Sequence, residues 1–172
     1  PPSSPISTRR EFSEFSSNSG STPPSFERIT DMYGPYPLSF TAEDGDIVVR
    51  SRDFPELLTA GGTEAEAAEL AEDALVVVAL GRRGDGEPLP APSRPEAGER
   101  LVHLPAAVTA KLAVIDAFEA RGISKAELAR RLGVAVNEAQ RILDVDHKTK
   151  LDRLDAAARA LGVRLIVTAE AA

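Results

Sequence analysis

The stretch Ile123–Leu143, ISKAELARRLGVAVNEAQRIL, constrains this chain more than any other. It holds two short helical patterns separated by a glycine turn, the layout of a helix-turn-helix that reads DNA. Ser124 and Glu127 stand at capping-box spacing, so each is expected to satisfy an orphan amide of the other where the first helix starts. Leu128, Ala129 and Leu132 give that helix one apolar face, and the small Ala129 lets a second helix cross closely. Gly133 supplies the positive φ that ends it. A second helix from about Val136 packs Ala139, Ile142 and Leu143 and turns Asn137, Gln140 and Arg141 outward. Those polar types bond to base edges and phosphates. An Ala- and Leu-rich helix pair also fits any small bundle; the glycine turn and the amide and guanidinium face favour DNA.

A net charge of −7 suits a DNA binder poorly until it is divided along the chain. Residues 32–80 hold ten acids against two bases, whereas residues 101–172 hold nine acids against eleven bases. The acidity therefore belongs to one part, and the small basic excess of the other favours dimeric, site-specific binding over non-specific attraction. The 172 residues leave room for two small domains. The longest apolar run, Ala74–Leu80, is too short to cross a membrane, and a cytoplasmic location is expected.

Residues 1–31 are rich in Ser, Pro and Thr without sustained periodicity, the signature of a disordered extension, with Met32 as the expected natural start. Tyr36–Glu43 and Asp46–Arg52 are extended runs joined by Asp44-Gly45, which predicts an antiparallel hairpin. After a Phe54-Pro55-Glu56-Leu57 turn, a short third strand ends at Gly61-Gly62. Thr63 and Glu66 form a second capping box, opening a helix that runs to Gly81. Residues 81–99 are a Pro- and Gly-rich loop, and Arg100–Leu104 is a candidate fourth strand. Pro105 opens a helix striped by Val108, Leu112, Ile115 and Phe118 and closed at Gly122. Beyond Leu143, Asp144–Lys150 is a polar link. Leu151, Leu154, Ala158 and Leu161 stripe a last helix, and Val163–Ala169 alternates as a strand. Such a strand needs a backbone partner, and pairing with a second copy would build a two-fold dimer.

The fold class is thus α+β. Its predicted parts are a disordered segment 1–31, a sheet-and-helix domain 32–104, and a helix-turn-helix domain 105–172 with a C-terminal strand. Ser124, Lys125, Asn137, Gln140, Arg141, Lys148 and Lys150 are the candidate DNA contacts. Glu43, Asp44, Asp46 and Asp53 gather near the first hairpin, so a metal-dependent nuclease has to be weighed. Solvation of a turn is the ordinary reason for such acids, and nothing shows them converging. With no cysteine and with His103 and His147 far apart, neither a metal site, a cofactor nor a catalytic residue is expected.

From Met32 onward the chain resembles HicB-type antitoxins of bacterial toxin-antitoxin pairs. The resemblance is carried by YPLSF, DGDIVVRSRDFPEL, TAGGTEAEAAELAEDAL, PLPAPS, ISKAELARRLGV and RILDVDHKTKLDRLDAAARALG, in that order. It implies a degraded, ribonuclease-H-like N-terminal domain without nuclease activity that binds a small basic ribonuclease toxin of the HicA kind. It also implies a C-terminal half that binds operator DNA and represses its own operon as a homodimer or higher oligomer. Phe54, Pro55, Glu56 and Leu57 are candidates for the toxin face. The family usually starts its reading helix with a polar cap, where this chain has Ala135 and Val136. The competing reading is a stand-alone helix-turn-helix regulator whose acidic domain senses a ligand or another protein. A short basic reading frame beside this one discriminates the two.

Overall fold

The computed structural model describes residues 33–167. The expected extension 1–31, Met32 and the last two residues of the expected terminal strand, 168 and 169, lie outside them. Among the described residues four strands and five helices follow one another in an α+β order. Strands β1 (Tyr36–Glu43), β2 (Asp46–Ser51), β3 (Leu58–Gly61) and β4 (Glu99–Val102) form one antiparallel sheet in the order β3-β2-β1-β4. The hairpin register pairs Glu43 with Asp46 across Asp44-Gly45. Both turn residues take positive φ, 51° and 97°, as a two-residue turn matching the strand twist requires.

One face of the sheet carries Tyr36, Leu38, Phe40, Ile47 and Val49. Helix α1 (Glu64–Gly84) lies on that face and buries Ala67, Ala71, Leu75 and Ala79, four residues apart. Small residues allow a close approach, and it is closest at Gly61, where a Cβ would stand 2.6 Å from the Ala67 amide nitrogen. Thr63 caps the helix by accepting from the Glu66 amide at 3.2 Å. The Glu66 carboxylate bonds the Gly62 amide rather than that of Thr63, a displaced version of the predicted reciprocal pair. The helix also continues a turn past the expected stop at Gly81, ending at Asp85 with Arg82 and Arg83 in its last turn.

Phe54 and Leu57, two of the four candidates for a partner-binding face, are buried in the core at 0% and 2% exposure. Phe54 packs edge-on to Tyr36 with ring centroids 4.8 Å apart. Pro55 and Glu56 alone of the four stay exposed, and Glu56 is paired with Arg82. The loop after α1 is pinned to the sheet: the Tyr36 hydroxyl donates to Pro90 O at 3.0 Å, and Asp53 accepts from the Ser93 amide at 3.0 Å.

Helix α2 (Ala106–Arg121) departs from the single apolar stripe expected of it. It buries Ala110 and every residue from Lys111 to Ile115, together with Ala117. Leu112 and Ala113 belong to the sheet-and-α1 core, whereas Ala110, Val114 and Ala117 belong to a second core built with the three helices that follow. A helix apolar all round is one packed on both sides. At its far end Arg83 of α1 reaches across, bonding Asp116 at 2.9 Å and Glu119 at 2.8 Å. The Tyr33 hydroxyl donates to the other Asp116 oxygen, and burial pushes this phenol well above its ordinary pKa.

Residues 163–167 form no strand ladder with any of the described residues; the Val163 amide donates to Ala158 O at the end of the last helix. Among the described residues no helix is long and apolar enough to cross a membrane. Gly61→Ala should lower stability by about 1–3 kcal/mol through overpacking, while Gly81→Ala, with open space around it, should raise it by about 0.5–1 kcal/mol. Urea unfolding of the two variants checks the opposite signs.

Candidate nucleic-acid interface

Helix α3 (Lys125–Leu132) starts where its cap is: Ser124 Oγ accepts from the Glu127 amide at 3.1 Å. The reciprocal half of the predicted capping box does not form. Glu127 instead takes Arg130 and Arg131, each with a 2.8 Å Nε contact, because charge-assisted bonds outweigh one to a neutral amide. Arg130 first, then Arg131, hold the Glu127 carboxyl down at a pKa of about 2. Gly133 closes α3 at φ 66°, ψ 32° and helix α4 (Val136–Leu143) begins three residues later. Ala135 at its N-cap makes no side-chain bond, so this helix start lacks the amide acceptor that α3 has.

Leu128 and Ala129 of α3 and Ala139 and Ile142 of α4 turn inward. They meet Leu154, Ala157 and Ala158 of helix α5 (Leu151–Ala160), Leu161 just beyond it, and the second face of α2. That packing fixes what faces out: Asn137, Gln140 and Arg141 are all exposed. Together with Lys125 they line a cleft of about 550 Å³. Its opposite wall is Arg83 and Gly84 at the end of α1 and Glu119 of α2. Ser124, Lys148 and Lys150 lie outside the cleft lining, though all three are exposed.

Charge pairing sorts the cations. Arg130 and Arg131 are held by Glu127, Arg153 by Glu138 at 3.3 Å, and Arg159 by Asp155 at 2.8 Å. Among the described residues the side chains of Lys125, Asn137, Gln140, Arg141, Lys148 and Lys150 have no such partner. The pair with Arg153 also turns Glu138 toward α5, so the acid does not stand as an unpaired charge on the outward face.

Two features escaped the sequence reading. Lys111 is only 5% exposed, and its ammonium donates to Arg141 O at 3.4 Å, His147 O at 2.9 Å and Thr149 Oγ1 at 2.9 Å. A lone lysine inside AAVTAKLAVIDAF was the available signal. The Arg83 contacts with Asp116 and Glu119 left no signal, since they join residues more than thirty positions apart. Of the four acids near the first hairpin, Glu43 pairs with Arg50 and Asp53 with Ser93, so these two are tied to different partners.

Residues 35–113 match the family described as the HicB-like antitoxin of bacterial toxin-antitoxin systems. The chain is 38% identical over 131 residues to Antitoxin HicB of Escherichia coli strain K12, covering 76% of this chain and 95% of that protein. Antitoxin HicB 2 of Photorhabdus laumondii is 38% identical over 134 residues, 78% of this chain and 95% of its own. Antitoxin HicB of Pseudomonas fluorescens is 33% identical over 141 residues, with 80% and 94% covered.

The uncapped α4 yields a gain-of-stability test. Ala135 already has the extended backbone of a cap, φ −71° and ψ 152°, so Ala135→Asp should stabilise the chain by about 1 kcal/mol in thermal unfolding. Glu127 gives a pH signature. Its folded pKa lies below its unfolded value, so its contribution is present above pH 4.5 and is lost as pH falls toward about 2. Glu127→Gln should flatten that part of the stability-pH curve.

Proposed function

The chain belongs to the HicB-like antitoxins of bacterial toxin-antitoxin systems, and from that premise we propose that it neutralises a HicA-type RNA-cleaving toxin and represses its own operon. In this reading residues 32–104 are a partial ribonuclease-H-like domain that has no nuclease activity and covers the toxin. Residues 105–172 carry a helix-turn-helix made of α3 and α4. The observation that supports the DNA role is the sorting of donors just described. Among the described residues, four arginines of the C-terminal half are tied to carboxylates, whereas Lys125, Asn137, Gln140, Arg141, Lys148 and Lys150 are exposed without partners, as are Arg121 and Arg164 outside α3, α4 and the link after them. Unspent amide and guanidinium donors on the outward side of a second helix suit base edges, and the lysines suit phosphate.

The toxin role rests on the family and on charge. Glu69, Glu72 and Asp73 on the outer side of α1 are exposed and without ion partners among the described residues, which favours a basic partner. Pro55 and Glu56 remain surface candidates, while Phe54 and Leu57 support that turn from beneath. Ile166 and Val167, 73% and 59% exposed at the described end of the chain, support assembly of two copies through the C-terminal segment. Such a dimer would hold two α4 helices at a fixed spacing on a palindromic operator.

Arg141→Ala should weaken binding to the DNA upstream of the chain's own reading frame by about 1–3 kcal/mol and leave toxin neutralisation intact. A gel-shift titration beside a growth-rescue assay measures both. Equal loss of the two activities would mean that Arg141 acts through folding.

A further inference from the structure

Lys111 is a buried cation with no carboxylate bonded to it. An ammonium has three N–H donors and no acceptor, and three oxygens surround this one. A neutral amine would have only two N–H groups for the same three oxygens, so the arrangement selects the charged form. Burial pulls its pKa below that of a free lysine, opposed by the nearby Asp144. The Arg141 carbonyl belongs to the last turn of α4, where unsatisfied carbonyls favour a positive charge.

The identity of the acceptors is informative. Arg141 is itself one of the partnerless cations, His147 and Thr149 flank Lys148, and Thr149 directly precedes Lys150. Each bond from Lys111 therefore fixes a residue that is, or stands next to, a candidate phosphate or base contact: backbone at Arg141 and His147, and the side-chain hydroxyl at Thr149. The segment it holds, residues 144–150, is otherwise short of regular structure. Beyond the two contacts that Lys111 makes to it, at His147 O and Thr149 Oγ1, its hydrogen bonds among the described residues are local turns, namely the Asp144 amide to Arg141 O, the Asp146 amide to Asp144 Oδ1, the His147 amide to Asp144 O and Thr149 Oγ1 to His147 O, together with the Lys150 carbonyl, which accepts from the Arg153 and Leu154 amides at the start of α5. Lys111 is the bond that refers the segment to α2.

We infer that Lys111 is a positioning residue of the DNA interface, holding Arg141, Lys148 and Lys150 at a fixed mutual spacing from inside α2. It touches no DNA itself. The inference rests on the DNA-binding reading above, and its test separates the two.

The experiment measures affinity of the full chain for a duplex carrying the DNA upstream of its own reading frame, across a series of salt concentrations. Lys111→Met, confirmed as folded by circular dichroism, should weaken binding about tenfold or more and make the log–log salt slope shallower by about 1 to 2 as phosphate contacts are lost. Capture of the toxin should stay unchanged. Should Lys111→Met fail to fold, Lys111→Gln, which keeps two N–H donors, decides with a smaller loss in the same direction. Wild-type chain with no salt-dependent binding would overturn the DNA reading itself. Normal wild-type binding with an unchanged slope in the folded variant would overturn the role of Lys111, as would equal losses of DNA and toxin binding.

Discussion

Both cores of this fold meet on helix α2, which is buried all round from Ala110 to Ile115. Leu112 and Ala113 of α2 complete the sheet core, and Ala110, Val114 and Ala117 complete the helical one. The polar side chains along the same helix are spent on neighbours at either side. Asp116 and Glu119 hold Arg83 at the end of α1, and Lys111 holds the end of α4 and the link behind it. Arg83 is already costly in place, because its Nε is buried without a partner. The two halves are consequently joined by packing and by charge, and the outward face of α4 has a set place relative to the sheet.

What the sequence showed plainly was local. The Asp44-Gly45 hairpin, the cap at Ser124 and the glycine stops at 122 and 133 depend on residues within one turn of one another, and they form as expected. What it hid was set by distant partners. Glu127 looked like half of a capping box until Arg130 and Arg131 competed for it. Phe54 and Leu57 suited a partner-binding face or a buried turn equally, and the Tyr36 ring and the sheet core enclose them as a buried turn. The α2 stripe of Val108, Leu112, Ile115 and Phe118 was real but incomplete, because periodicity reports one apolar face and cannot announce a second packing partner. The candidate interface was legible as residue types. Its organisation through Lys111 and Arg153 was not, since those contacts span 15 to 38 residues.

Family membership and charge division point the same way. The HicB-like antitoxins match over most of this chain, and among the described residues the acids of α1 leave an unpaired run, while Lys125, Arg141, Lys148 and Lys150, around α4 and the link after it, are without ion partners, as are Arg121 and Arg164 elsewhere. Under the proposed function, one chain would offer a basic protein one surface and DNA another, with α2 between them.

Hydrogen exchange read by mass spectrometry on the chain alone, with its toxin, and with its operator duplex tests that division directly. The account predicts two separate footprints: the toxin protects peptides from residues 33–104, and the duplex protects α3, α4 and residues 144–150. A toxin footprint centred on α4, or a duplex footprint on the sheet and α1, would contradict it.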